Sequence, residues 1–119
     1  MYIGKFAKLT GTTPKTIRLY ESIGLLPPAK RNGSYRVYDE TYIPTVIQIK
    51  QAQKLGFTLN ELKAIAKNAN IERGFPPEAI IFALSEKRIS IERQIKALKE
   101  IERSLAKLEA ELAESVCFR

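Results

Sequence analysis

Thr10-Gly11-Thr12-Thr13-Pro14-Lys15-Thr16-Ile17-Arg18-Leu19-Tyr20-Glu21 is the stretch whose reading decides the fold of this chain. Gly11 suits a tight turn that needs positive φ. Thr13-Pro14 then starts a helix, because threonine is a good N-cap and proline is tolerated at the first helical position. Ile17, Tyr20 and Ile23 fall on one side of that helix and form its buried face. Lys15, Thr16, Arg18 and Leu19 are left on the other faces. Upstream, Ile3, Phe6, Ala7 and Leu9 fall on one stripe of a shorter helix that ends near Thr10-Gly11. Packing at Ala7, a turn at Gly11 and packing again at Ile17 is the spacing of a helix-turn-helix.

Downstream, Gly24 and Pro27-Pro28 stop the second helix. Ala29–Tyr38 reads as a hairpin: Asn32-Gly33 is a turn signal, and Tyr35-Arg36-Val37-Tyr38 alternates like a strand. Asp39 caps a third helix running to about Leu55, with Ile43, Val46, Ile47 and Leu55 expected in the core. Pro44 inside its first turns implies a mild kink or a late start. Gly56 ends it, and Thr58-Leu59-Asn60-Glu61 is a capping box opening a fourth helix to about Asn68, with Leu62 and Ile65 inward. The expected organisation is a winged helix-turn-helix domain at 1–70, a linker at 71–77 carrying Gly74 and Pro76-Pro77, a coiled-coil helix at 78–113 and a tail at 114–119.

Between Glu78 and Ala113 there is no glycine or proline, and Leu84, Ile91, Leu98, Leu105 and Leu112 recur every seven residues. Their companions are Ile80, Lys87, Gln94, Ile101 and Leu108. This is a coiled-coil seam with Leu84, Ile91, Leu98, Ile101, Leu105, Leu108 and Leu112 as dimerisation residues, and two polar core positions suited to setting the pairing. The helix would be roughly 50 Å long, more than so small a head can cover, so a homodimer is expected. Parallel and antiparallel pairing are both open to this pattern.

Charge divides the chain in the same place. Residues 1–75 hold twelve Lys and Arg against five Asp and Glu, whereas residues 76–119 hold eight of each. Glu21 is the one acid in Met1–Tyr38, against seven basic residues. A basic head behind which lies a neutral heptad helix suggests a head that grips polyanion and a helix that grips another chain. Lys15, Thr16 and Arg18 stand near the N-terminal end of the second helix, the end a recognition helix presents to bases. Lys30, Arg31, Tyr35 and Arg36 make the hairpin a wing suited to the phosphate backbone of double-stranded DNA.

Composition excludes much else. The chain has no histidine and one cysteine, Cys117, which rules out Ser-His-Asp and Cys-His catalysis and a zinc site of the usual Cys/His type. No pair of carboxylates is spaced across a pocket, so no catalytic group, metal or cofactor is expected. No apolar run approaches the length of about 20 residues that spans a bilayer. Met1–Leu9 lacks a signal-peptide layout, and a lone cysteine argues against a disulfide-stapled module. The expectation is a cytoplasmic, non-enzymatic protein.

Ile3-Gly4-Lys5-Phe6-Ala7, Gly11, Thr16-Ile17-Arg18-Leu19-Tyr20-Glu21, Gly24-Leu25-Leu26-Pro27-Pro28, Tyr35-Arg36-Val37-Tyr38 and Leu55-Gly56-Phe57-Thr58-Leu59-Asn60-Glu61 stand in order and at matching spacing over about residues 3–66. In these motifs the chain resembles the MerR family of bacterial transcription regulators. The resemblance implies a mainly α fold with a small β-hairpin wing: a winged helix-turn-helix head, a short helical middle and an antiparallel coiled coil forming a homodimer. It implies a near-palindromic operator in an over-long promoter spacer, bent and untwisted so that RNA polymerase engages both promoter elements. By matching position it gives Lys15, Thr16, Arg18 and Tyr20 to the recognition helix and Arg31, Tyr35 and Arg36 to the wing.

Departures from the family pattern lie at Lys5, where an acid is usual, at Leu19, where an aromatic is common, and at Ser34, which lengthens the hairpin tip. About Pro77 and Leu112 stand where metal-responsive relatives carry ligands, so no metal site is implied. Cys117 reads either as an unremarkable tail thiol or as a redox-sensitive one. An architectural DNA-binding protein, excisionase-like or chromosome-organising and without effector control, is the alternative function.

Overall fold

The computed structural model describes residues 1–117 and divides into two compact units, Met1–Ala83 and Leu84 onward. Helix α1 (Ile3–Thr10) turns Phe6, Ala7 and Thr10 inward and ends at Gly11, whose φ of 68° is the left-handed value the turn requires. Helix α2 (Pro14–Ser22) begins as expected, with the Thr13 hydroxyl accepting the Thr16 N–H at 3.2 Å and Pro14 in the first turn. Its buried residues are Ile17 and Tyr20. The chain then doubles back: the Leu25 and Leu26 N–H groups both donate to the Tyr20 carbonyl, at 2.9 and 3.1 Å.

Strands β1 (Lys30–Asn32) and β2 (Tyr35–Val37) form an antiparallel ribbon in the register Lys30↔Val37, Arg31↔Arg36, Asn32↔Tyr35. The two-residue turn is therefore Gly33-Ser34, one position beyond the Asn32-Gly33 signal. The reason is backbone geometry: Gly33 has φ 66° and Ser34 is not in the positive region. That pattern needs glycine only at the first turn position. At the foot of the ribbon, Tyr38 N–H donates to the Met1 carbonyl at 2.6 Å, so the chain start is stitched to the end of β2.

Asp39 caps a single 3₁₀ turn, Glu40–Tyr42, before helix α3 (Ile43–Lys54) begins with Pro44 in its first turn. Of the two outcomes Pro44 allowed, the late start is the one observed. The Thr41 N–H and hydroxyl both donate to the Asp39 carboxylate, which holds its pKa below the usual range. Helix α4 (Leu59–Lys67) opens on the complete capping box, Thr58 with Glu61. Helix α5 (Pro77–Cys117) is 41 residues long. It continues through the expected tail to Cys117, and the rest of that tail, Phe118 and Arg119, lies outside the described residues.

One core serves the first unit. Phe6, Ala7, Ile17, Tyr20, Leu25, Leu26, Tyr38, Val46, Ile49, Phe57 and Leu62 are buried in it, and α1 packs on both α2 and α3. Leu9, Ile47 and Leu55, expected inside, are exposed, and Ile49 takes the place expected of Ile47. Leu55 is the residue that caps the end of α3, just before Gly56.

Residues 71–77, expected as a linker, instead contribute Ile71 and Phe75 to the core. They are lashed to α3 by polar bonds. The fully buried Thr45 hydroxyl donates to the Ile71 carbonyl and accepts the Gly74 N–H at 3.0 Å, while the Phe75 N–H donates to Gln48 Oε1 at 2.7 Å. Gly74 has φ 104°, a value that favours glycine, and a Cβ there would stand 3.1 Å from Gln48 Oε1, so the Gln48 side chain would have to shift. Thr45→Val keeps the shape and leaves the Gly74 N–H and Ile71 carbonyl buried without that partner. It should destabilise the protein by about 2 kcal/mol, read as a lowered urea midpoint at unchanged m-value.

Candidate nucleic-acid interface

Burial of Ile17 and Tyr20 fixes which way the rest of α2 faces. With a period of 3.6 residues, Lys15, Arg18 and Leu19 are turned outward, and all three are exposed. Thr16 is half-buried, its hydroxyl 3.0 Å from that of Thr13. The strand alternation of the hairpin does the same for the wing. Lys30 and Val37 share one face and line a cleft with Pro27 and Pro28, whereas Arg31 and Arg36 share the other.

Arg31 and Arg36 meet Arg18 in a groove of about 370 Å³ between the start of α1, α2 and the wing, lined also by Tyr2, Ile3, Ser34 and Tyr35. Three guanidinium groups, two tyrosines and a hydroxyl are donors suited to nucleic acid, at phosphate from the wing and at base edges from α2. Arg31 and Arg36 are directly opposed in the ladder, and like charges so placed repel each other. An anion bound in the groove would relieve that repulsion.

Arg36 already has one anionic partner, Glu21. Arg36 donates to Glu21 Oε2 at 3.1 Å, joining β2 to α2, with the glutamate side chain only 10% exposed. Glu21 Oε1 and the Tyr38 hydroxyl are both shut off from water and reach no hydrogen-bond partner among the described residues. Burial pushes the Tyr38 phenol above its ordinary pKa, the neighbouring Glu21 carboxylate adds to the rise, and Arg36 opposes it. The ring of Tyr38 stacks on Phe6, 5.1 Å between centroids, so the foot of the wing stands on the core.

The structure thus brings Arg18, Arg31, Tyr35 and Arg36 together and places Lys15 and Thr16 at the N-terminal end of the same helix. Tyr20 is a correction. Its side chain is 1% exposed and its hydroxyl donates to Gln53 Oε1 on α3 at 2.8 Å, so it faces the core and not DNA. The same apolar spacing that placed it on the buried face of α2 carried that information. Tyr2 was missed: its ring lies against Tyr35, 5.5 Å between centroids, extending the aromatic wall of the groove. An exposed aromatic just ahead of α1 and off its apolar stripe was the available sign.

Along the second unit, Leu84, Ile91, Leu98, Ile101, Leu105, Leu108 and Leu112 are all between 41% and 64% exposed in the single chain. Cys117, near the end of α5, is free and exposed. Among the described residues no group of three or more His, Cys, Asp or Glu could hold a metal ion, and no helix is long and apolar enough to cross a membrane.

A winged helix-turn-helix with a basic groove beside the recognition helix defines a DNA-binding head. Comparison with known proteins agrees. Residues 1–69 match the family model described as MerR HTH family regulatory protein, and residues 45–108 match the one described as MerR, DNA binding. The chain is 35% identical over 106 residues to the HTH-type transcriptional regulator CueR of Vibrio cholerae, covering 88% of this chain and 76% of that protein. It is 40% identical over 116 residues to the mercuric resistance operon regulatory protein of Pseudomonas fluorescens, covering 97% and 74%. Among solved structures it is similar to the transcription regulator PbrR691 of Ralstonia metallidurans, determined with lead(II), at TM-score 0.67 and 25% identity, covering 92% and 85%. The chain belongs to the MerR family and is a DNA-binding transcription regulator.

Because the Tyr20 hydroxyl serves the core, Tyr20→Phe should cost about 1 kcal/mol of stability and leave DNA affinity within about twofold, a smaller change than removal of a direct DNA hydrogen bond would cause. Thermal unfolding and a DNA titration on the same sample check the two halves.

Proposed function

We propose that this regulator acts as a homodimer, paired through an antiparallel coiled coil of α5, on a near-palindromic operator in a promoter spacer. Lys15, Thr16 and Arg18 present the recognition helix to base edges, and Arg31, Tyr35 and Arg36 hold the phosphate backbone. The observation that carries this reading is the groove in which Arg18 of α2 meets the opposed arginines of the wing. Two such heads on one duplex supply contacts that offset the few kcal/mol needed to bend and untwist the spacer. The distorted promoter is then the form that RNA polymerase engages. The exposed leucine and isoleucine seam supports the dimer: left in water, seven large apolar side chains forgo the remaining part, about half, of the roughly 1.5–3 kcal/mol that full burial of each contributes.

The metals named for the relatives do not carry over as a ligand set. Thiolate coordination needs two or more sulfur donors, and each chain of the dimer supplies Cys117 alone and no histidine, with an antiparallel pair setting the two thiols at opposite ends.

Selection from random-sequence DNA, followed by footprinting of the winner at low and high salt, tests the reading. A single two-fold-symmetric site with a distorted centre supports it, and sequence-indifferent binding with a steep salt dependence defeats it in favour of an architectural role. On the selected site, Arg18→Ala should cost about 1–3 kcal/mol and relax discrimination near the bases it faces. Leu105→Glu, a charge in the seam, should move the sedimenting species to monomer and weaken operator binding by about tenfold or more.

A further inference from the structure

Glu21 is out of place on a polyanion-facing surface. It is the one acid in Met1–Tyr38 and stands on the recognition helix itself, where it would ordinarily weaken phosphate binding. Its carboxylate is nevertheless turned inward, one oxygen on Arg36 and the other enclosed beside the buried Tyr38 hydroxyl. Arg36 needs such a partner. The hairpin register sets it against Arg31, and both share the groove with Arg18, so an unrestrained Arg36 would swing away from the other two charges. A guanidinium carries five N–H donors in a rigid fork, and the bond to Glu21 leaves the others for a second acceptor. Arg36 remains 44% exposed at that bond, open to one.

We propose that Glu21 is a positioning residue for DNA binding: it pins the Arg36 guanidinium at the groove, with the remaining donors of the fork presented to a DNA phosphate, and so sets the wing relative to α2. The proposal rests on the DNA-binding reading above and adds a residue that has no part in it.

The test uses the full chain and the DNA site recovered by selection. If Glu21 only repelled DNA, Glu21→Gln would tighten binding. If it positions Arg36, the same variant binds about tenfold more weakly despite having gained positive charge. Its salt slope falls by about 0.9 for every phosphate no longer neutralised, a change that a purely structural role would not produce. Arg36→Gln should show the same weakening and the same change of slope, and the double variant should bind no worse than Arg36→Gln alone. Arg36→Lys, which keeps the charge and gives up the fork, should be weakened nearly as much, and it stands in should Glu21→Gln fail to fold. Tighter binding by Glu21→Gln, additive effects in the double variant, or wild-type binding by Arg36→Lys each overturns the proposal. A wild-type chain that selects no DNA site removes the underlying reading instead, an outcome visible before any variant is made.

Discussion

The burial of Tyr20 is the constraint on which the rest of the head depends. Its ring lies in the core, its hydroxyl donates to Gln53 of α3, and its carbonyl receives the N–H groups of Leu25 and Leu26. One residue therefore orients α2, ties it to α3, and fixes the turn from which the wing departs. Because a helix repeats every 3.6 residues, seating Ile17 and Tyr20 inward puts Lys15 and Arg18 outward with no further instruction. The electrostatic face of the protein is in this sense a by-product of its packing.

Much of this was legible locally. Thr13-Pro14 and the Thr58–Glu61 box start helices as their side chains indicate, because a cap is a bond between neighbours in sequence and needs nothing from the rest of the fold. Asp39, by contrast, caps a 3₁₀ turn ahead of the helix expected there. The hairpin was legible as a basic and aromatic wing, but the pairing of Arg31 with Arg36 follows from a register one position away from the Asn32-Gly33 signal. What was not legible depended on distant parts of the chain. Leu9, Ile47 and Leu55 have the apolarity of core residues but stay exposed, while Ile49, Leu25 and Leu26 are buried. For Tyr20, spacing pointed to burial and resemblance pointed to DNA. The two could not both hold, and the hydrogen bond to Gln53 decides for burial.

The segment at 71–77 makes the same point from the other side. Its glycine and paired prolines have a linker's composition, and composition carries no record of an acceptor two dozen residues away. Thr45 and Gln48 supply those partners, converting a flexible-looking stretch into a strap whose N–H and carbonyl groups are satisfied inside the core. Arg73, with φ 64° and its N–H on the Thr41 carbonyl, shows that the strap holds even a non-glycine residue in the left-handed region.

The uncovered seam of α5 has a consequence for regulation in time. On the dimer reading, the species that occupies DNA forms from two chains, so at low abundance its amount follows the square of the number of copies made. A cell that halves the synthesis of such a protein then loses about three-quarters of the binding-competent form. Occupancy of its sites would fall away sharply with dilution during growth, giving the regulator a threshold set by gene dosage before any signal reaches it.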